Sequence, residues 1–371
     1  MITPQQEFTL RRALLSPDHV ATMDSADLEQ VVTQGRIARL LPSLCEQLRT
    51  QGELEKVPAQ VRRHLESASL VYRKQRHDLA YDCNSLRTAV DSCGLPLVLL
   101  KGAAYIASDL PVGRGRLITD IDIIVPRQQI EQAERALNAH GWESSKLDAY
   151  NESYYRRWSH EVPALLHRQR GTTLDLHHNI LPPTAGPNVR PELLFEELRE
   201  VEAGIFTLSY RDMVIHSATH LFHEGEFHHG LRDLWDLDRM LRDFPQRQPD
   251  FWQGLVNRAR TLELEQSLFH ALNYTQKLFD TPIPAEVASE AKRGKNKLLQ
   301  PAMDFLFIRA FRPDHPDCRL PLTGLALYLL YIRSHYLRMP IYLLLPHLVR
   351  KAWMRRASKK KEALETARES A

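Results

Sequence analysis

Residues 97–126 read LVLLKGAAYIASDLPVGRGRLITDIDIIVP. The section from Leu117 to Val125 has the aliphatic, β-branched texture of a buried strand, yet it contains Asp120 and Asp122. Side chains alternate along a strand, so both carboxylates fall on one face. Burying a carboxylate is costly unless positive charge meets it. Either the strand reaches the surface at this point, or a cation belongs on that face.

Working outward, LPLVLL (95–100) reads as a strand that feeds Lys101 and Gly102, where a helix opens. The loop PVGRGR carries Arg114 and Arg116, and a helix follows the DID strand between Pro126 and Gly141. Three more strand candidates come next: WESSKL (142–147), VPALLHRQ (162–169) and TTLDLHHNI (172–180). Arg170 and Gly171 fit a hairpin turn between the last two. In the last strand Asp175 and His177 share a face, opposite to Leu174 and Leu176. If that strand lies beside the DID strand, three carboxylates converge.

The flanks are helical. Leu28, Val31, Val32, Ile37, Leu40, Leu41, Leu44 and Leu48 recur at helical spacing, and a longer pattern runs from Pro58 to Gly94. LPPTAGPNVRP (181–191) is a Pro-rich break, and Ser209 with Asp212 looks like a capping box that starts a helical remainder. The expected fold class is α+β, with an N-terminal helical region over 1–92, a small mixed-sheet core over 93–182 and a helical C-terminal region over 183–371 ending in a basic tail. Of the 371 residues, 43% are apolar and 26% charged, an ordinary globular balance. A net charge of +3 offers no global case for nucleic acid binding. Cys45, Cys83, Cys93 and Cys318 are scattered without CxxC spacing, as reduced cytosolic thiols would be. With no signal-peptide core and no apolar run of the ~20 residues that span a bilayer, the expectation is a cytoplasmic protein.

Three converging acids suit hard divalent cations, which take oxygen ligands from carboxylates, waters and phosphates. Two such ions side by side are a recurring device for in-line nucleotidyl transfer. Asp120, Asp122 and Asp175 are therefore the candidate metal ligands and catalytic residues, for Mg²⁺ or Mn²⁺ in its place. Lys101 and Gly102 open a helix whose N–H groups can approach a phosphate, and Arg114 and Arg116 lie close enough to reach a triphosphate.

LKGAA, then an arginine, then TDIDIIV, then LDLHHNI resembles the polymerase-β-type nucleotidyltransferases. More narrowly, it is similar to a bacterial family of uncharacterised nucleotidyltransferases with the pattern LKG…R…DIDLLV…(D/E)LHW. VVTQGRIARLLPSLCEQLR resembles that family's helical lead-in, SHEVPALLHRQRGTTLDLHHNI its hairpin, and LSYRDMVIHSATHLFHEGEFHHGLRDLWDLDRML its helical C-terminal region. Lys101-Gly102 replaces the Gly-Ser or Gly-Gly of the wider fold, and His178 stands where an aromatic is usual. The resemblance implies transfer of a nucleoside monophosphate from an NTP such as ATP to a hydroxyl, with pyrophosphate released. It implies Asp120 and Asp122 as metal ligands, with Asp175 as a third that also accepts the hydroxyl's proton.

His216, His220 and His223 recur at i, i+4 and i+7, with His228 and His229 beyond. H-x-x-x-H is a zinc spacing, but nothing completes a ligand set, and a polar helix face lining the cleft is expected. His177, His220 and His223 are the candidate cleft histidines. Arg232 and Asp236 should form an i,i+4 ion pair, with a substrate-facing role implied by resemblance alone. Residues 322–361 are apolar but broken by Arg333, Arg338, Pro340 and Pro346, and end in a cationic run. Packed helices with a basic end are expected; peripheral contact with anionic lipid and nonspecific contact with RNA are the alternatives.

Two function classes follow. One is an enzyme whose acceptor is a small molecule, a peptide or protein hydroxyl, or an RNA end. The other is a catalytically inactive nucleotide-binding or assembly protein of a biosynthetic or membrane-associated complex. The presence of all three acids favours the enzyme. A toxin-like RNA-modifying member of the fold would want an aromatic-rich basic groove, and none is visible in the sequence.

Overall fold

The computed structural model describes residues 7–144, 156–223 and 225–339. The expected 145–147 end of the WESSKL strand and the basic tail lie outside the described residues. Strands β1 (Leu97–Leu99), β2 (Ile121–Ile124), β3 (Trp142–Ser144), β4 (Leu165–His167), β5 (Thr173–His177), β6 (Arg199–Glu202) and β7 (Ile205–Thr207) form one mixed sheet. Its order is β3-β4-β5-β2-β1-β7-β6. β2 is central, antiparallel to β1 and parallel to β5, and each of its residues is buried. Burial on both faces explains its nearly unbroken isoleucine content. Asp120 falls just before β2, while Asp122 lies inside it.

The sheet extends beyond the expected core. Residues 199–207, expected within the helical C-terminal region, form the β6–β7 hairpin, which turns at Gly204 (φ +76°). β7 pairs in parallel with β1, Leu97 opposite Ile205. β6 is an edge strand of sequence REVE whose glutamates are exposed. Such an edge is protected by charge rather than burial and so lacks an apolar run to betray it.

On the N-terminal side, α1 (Thr9–Leu15), α2 (Ser25–Ile37), α3 (Leu41–Thr50) and α4 (Ala59–Asp91) precede the sheet. The Asp24 side chain caps α2 by accepting from Asp27 N at 2.8 Å. The chain breaks between α2 and α3 at Arg39, whose φ is +56°. The 33-residue α4 acts as a spine. Its Gln75 donates to Ile118 O (2.9 Å) and accepts from Ile118 N (3.1 Å), fixing the loop that enters β2.

Helix α5 (Lys101–Ala107) follows β1 and α6 (Ile130–Ala139) follows β2. The C-terminal region comprises α7 (Tyr210–His223), α8 (Gly230–Arg247), α9 (Phe251–Thr261), α10 (Glu265–Phe279), α11 (Ala285–Lys292), α12 (Gln300–Ala310) and α13 (Thr323–Arg338). Ser209 Oγ accepts from Asp212 N at 3.2 Å, and the Asp212 carboxylate takes both Nε and Nη2 of Arg258 at 2.8 Å. Phe222 meets Tyr274, Phe307 and Phe311 in an aromatic cluster that joins α7, α10 and α12.

Gly115 sits where the loop before β2 presses on α3. Its φ is +76°, its carbonyl accepts from Ser43 Oγ at 3.2 Å, and a Cβ there would lie 2.5 Å from the Pro42 carbonyl carbon. Gly115→Ala combines a left-handed strain with a backbone clash and should cost about 2–4 kcal/mol. The midpoint of urea unfolding measures it; an unchanged midpoint would show that this contact is not a close one.

Candidate active site

Register brings the carboxylates together. Asp122 lies opposite Asp175 across the parallel β2–β5 pair, and Ile124 opposite His177. Asp122 is 3% exposed, and two donors meet its Oδ1: Lys101 Nζ at 2.7 Å and His177 Nε2 at 2.9 Å. A carboxylate only accepts, so Nε2 carries the proton of that bond. The other ring nitrogen, Nδ1, faces Glu161 Oε2 at 3.4 Å. Glu161 reaches this position through an isolated antiparallel bridge to His177.

Lys101 pairs with Asp122 from an unusual backbone. It is the first residue of α5, yet its φ is +46°, a left-handed value that costs a non-glycine residue energy. The buried ion pair offsets that strain. The neighbouring Gly102 leaves room for the protein itself: a Cβ there would come 2.7 Å from Ile118 Cγ2. α5 has only seven residues, so its dipole is short.

Charge sets the protonation states. Burial opposes ionisation of Asp122, but Lys101 and the His177 hydrogen bond outweigh it and hold the carboxyl well below its usual range. Burial likewise opposes the Lys101 ammonium, and Asp122 holds it above its ordinary value. Asp175 goes the other way, pushed to about 7 by burial and then by Asp122, Glu161 and Asp120. Asp120 is raised by burial and by Asp122.

A cavity of about 120 Å³ reaches Lys101, Asp120 and Asp122 of this cluster, while Asp175, His177 and Glu161 are not part of its lining. Lys101, Gly102, Tyr105, Asp120 and Asp122 line one side; Ser217 and His220 of α7, with Arg232, Asp233 and Asp236 of α8, line the other. Arg116 ties the two sides together. Its Nε donates to Asp236 Oδ2 at 2.6 Å and its Nη2 to Asp233 Oδ1 at 3.2 Å. Burial weakens its charge, but Asp236 and Asp233 raise its pKa above the ordinary value.

These contacts revise several expectations. The Arg232–Asp236 ion pair does not form, because Asp236 is taken by Arg116 and Arg232 turns onto Asp233 Oδ1 at 2.7 Å. Arg114 is exposed at the end of a 3₁₀ turn and lies outside the cavity lining. His220 lines the cavity, whereas His223 does not. His223 is about 10 Å along the axis from His216, and its Nδ1 lies 3.1 Å from Thr219 O and 3.4 Å from Ser267 Oγ of α10.

Sequence reasoning missed His160, Glu161 and Asp233. Glu161 lies just before the VPALLHRQ strand candidate and outside its apolar pattern, and only the bridge to His177 reveals it. Asp233 and Asp236, three apart on α8, share a helix face, and that spacing was a readable sign of a buried cation opposite.

The donor set fits a divalent cation. Asp120, Asp122, Asp175 and Glu161 outnumber the positive charge of Lys101, and the proton held by Asp175 at about 7 marks where neutralising charge is wanted. Asp122, Asp175 and His177 each offer a ligand atom within 4.8 Å of the others, as do His160, Glu161 and His177.

A family described as uncharacterised nucleotidyltransferases matches residues 24–280. The chain belongs to that family. No curated protein and no solved structure matches the chain.

Two outcomes are expected from this geometry. In cation-free protein the raised Asp175 carboxyl binds its proton more tightly folded than unfolded, so its stabilising contribution is full below the ordinary value of 3.8 and is lost as pH rises through about 7. Asp175→Asn should therefore gain about 1–3 kcal/mol on the wild type between about pH 4 and pH 8, read from urea midpoints in chelator. Arg116→Ala leaves Asp236 and Asp233 facing a hole and should cost about 3–5 kcal/mol, a larger loss than any exposed Arg→Ala control in the same assay.

Proposed function

We propose that this chain is a metal-dependent nucleotidyltransferase with a polymerase-β-like core, moving a nucleoside monophosphate from an NTP to an acceptor hydroxyl. The observation that carries the reading is the pairing of Asp122 with Asp175 across β2 and β5, with Asp120 and Asp122 lining a cavity that Lys101 and Arg232 also line. Two divalent cations on Asp120, Asp122 and Asp175 would neutralise the triphosphate and lower the pKa of the acceptor hydroxyl.

The chain's own groups do the rest. The acceptor oxygen bonds to the α-phosphorus, the bond from that phosphorus to the β-phosphate oxygen breaks, and pyrophosphate leaves with the bonding electrons. Asp175, opposite Asp122 across the strand pair, takes the hydroxyl proton. His177 fixes the orientation of Asp122 by donating to Oδ1, and Glu161 is bridged to His177 through the backbone. Arg232 and His220 face the cavity from the helical side, within reach of phosphate oxygens. Arg116 is a positioning residue, because its guanidinium is committed to Asp233 and Asp236.

One observation favours a second reading. Lys101 Nζ already neutralises Asp122 at 2.7 Å, as it would in a nucleotide-binding protein that works without metal. Calorimetric titration of ATP, GTP, CTP and UTP with and without Mg²⁺ separates the two. The enzyme reading expects Mg²⁺-dependent binding that Asp120→Asn/Asp122→Asn weakens about tenfold or more. Binding indifferent to Mg²⁺ would transfer the assignment to the second reading. No binding of any NTP by folded protein would sink both.

A further inference from the structure

Helix α13 is inside out for a helix on a protein surface. Leu325, Tyr328, Leu329, Ile332 and Tyr336 fall at i, i+3, i+4, i+7 and i+11, and their exposures are 47%, 61%, 40%, 47% and 66%. The helix's arginines point the other way. Arg333 Nη1 donates to Phe222 O at 2.8 Å, and Arg338 Nε donates to His223 O at 3.1 Å. The outward stripe therefore runs the length of the helix with no charged side chain on it. Single apolar residues on a surface are ordinary, but a contiguous stripe of this kind marks a face that something covers.

The surrounding charge identifies the cover. The end of α11 and the segment between it and α12 carry Lys292, Arg293, Lys295 and Lys297 and then Leu298, which is 89% exposed. This segment leads directly into α12, which packs against α13. After α13 the sequence runs through Ile341 to Val349 and then Arg350, Lys351, Arg355, Arg356 and Lys359 to Lys361, with no acidic residue between 340 and 361. A second copy docked face to face would bring these like charges together. RNA would satisfy the cations but offers nothing to an aliphatic stripe. An anionic bilayer offers acyl chains to the leucines and headgroups to the cations, and tyrosines are at home at that boundary. Among the described residues no helix is long and apolar enough to cross a membrane, so contact is with the surface.

We propose that the outer face of α13 docks on an anionic lipid bilayer, the helix lying in the headgroup plane with the basic segment 292–297 toward the phosphates. This surface is separate from the cavity and does not rest on the transfer reaction. The test is flotation of the full chain with vesicles of phosphatidylcholine alone and of phosphatidylcholine with about 30% phosphatidylglycerol, at low and high salt. Wild type should float with the anionic vesicles, less so as salt rises. Leu329→Glu/Ile332→Glu, made at exposed positions, should keep its circular dichroism and thermal midpoint while its partition falls about tenfold or more. The proposal is overturned if wild type stays with the soluble fraction, or if the double variant floats like wild type. A dimer that the variant converts to monomer, without flotation of either, would assign the face to a second copy. Retention on an RNA oligonucleotide without flotation would assign the cations to nucleic acid, and either result would also overturn the proposal.

Discussion

A buried carboxylate in the middle of a sheet is the constraint around which this protein is arranged. Asp122 is surrounded by isoleucines and is nearly inaccessible, so its charge survives only because Lys101 and His177 converge on one oxygen. Lys101 does so from a left-handed backbone, and His177 from the adjacent parallel strand. Neither could be displaced without stranding a charge in a low-dielectric interior, where an unpaired ion is far more costly than a surface ion pair is stabilising.

The same logic extends outward. The loop that delivers β2 is held from the N-terminal side by Gln75 on Ile118 and by the close approach of Gly115 to α3. It is held from the C-terminal side by Arg116 on Asp233 and Asp236. Both helical regions thus grip one short segment, which also lines the cavity. The carboxylates are positioned by the whole chain, and not by the sheet alone. Family membership agrees with this economy, since the matched residues 24–280 take in both grips.

The central strands were legible because buried strands write themselves as runs of isoleucine, leucine and valine. The interruption at Asp120 and Asp122 pointed to the candidate carboxylate cluster for the same reason. Asp175 was legible from strand alternation, and its placement opposite Asp122 from the expectation that the two strands are neighbours. The β6–β7 hairpin was not, because an edge strand with glutamates outward carries little hydrophobic signal. Nor was Glu161, which depends on a single isolated bridge to the end of β5. Arg232 and Asp236 misled because i,i+4 spacing is only a local preference. A partner arriving from 120 residues away in the chain, Arg116, wins once burial strengthens the pairing.

That last separation has a consequence for how the chain is made. Arg116 leaves the ribosome well before Asp236, and β1 well before its partner β7, whose pairing joins Leu97 to Ile205. Until those later residues emerge, the sheet has one open edge and a buried-to-be guanidinium has no counter-ion. Loop-closure entropy is spent before such distant contacts return stability, and partly made sheets are the species that aggregate. Helix α13 follows α7 and α8 in the chain, so both walls of the cavity have emerged before the helix that carries the exposed apolar face.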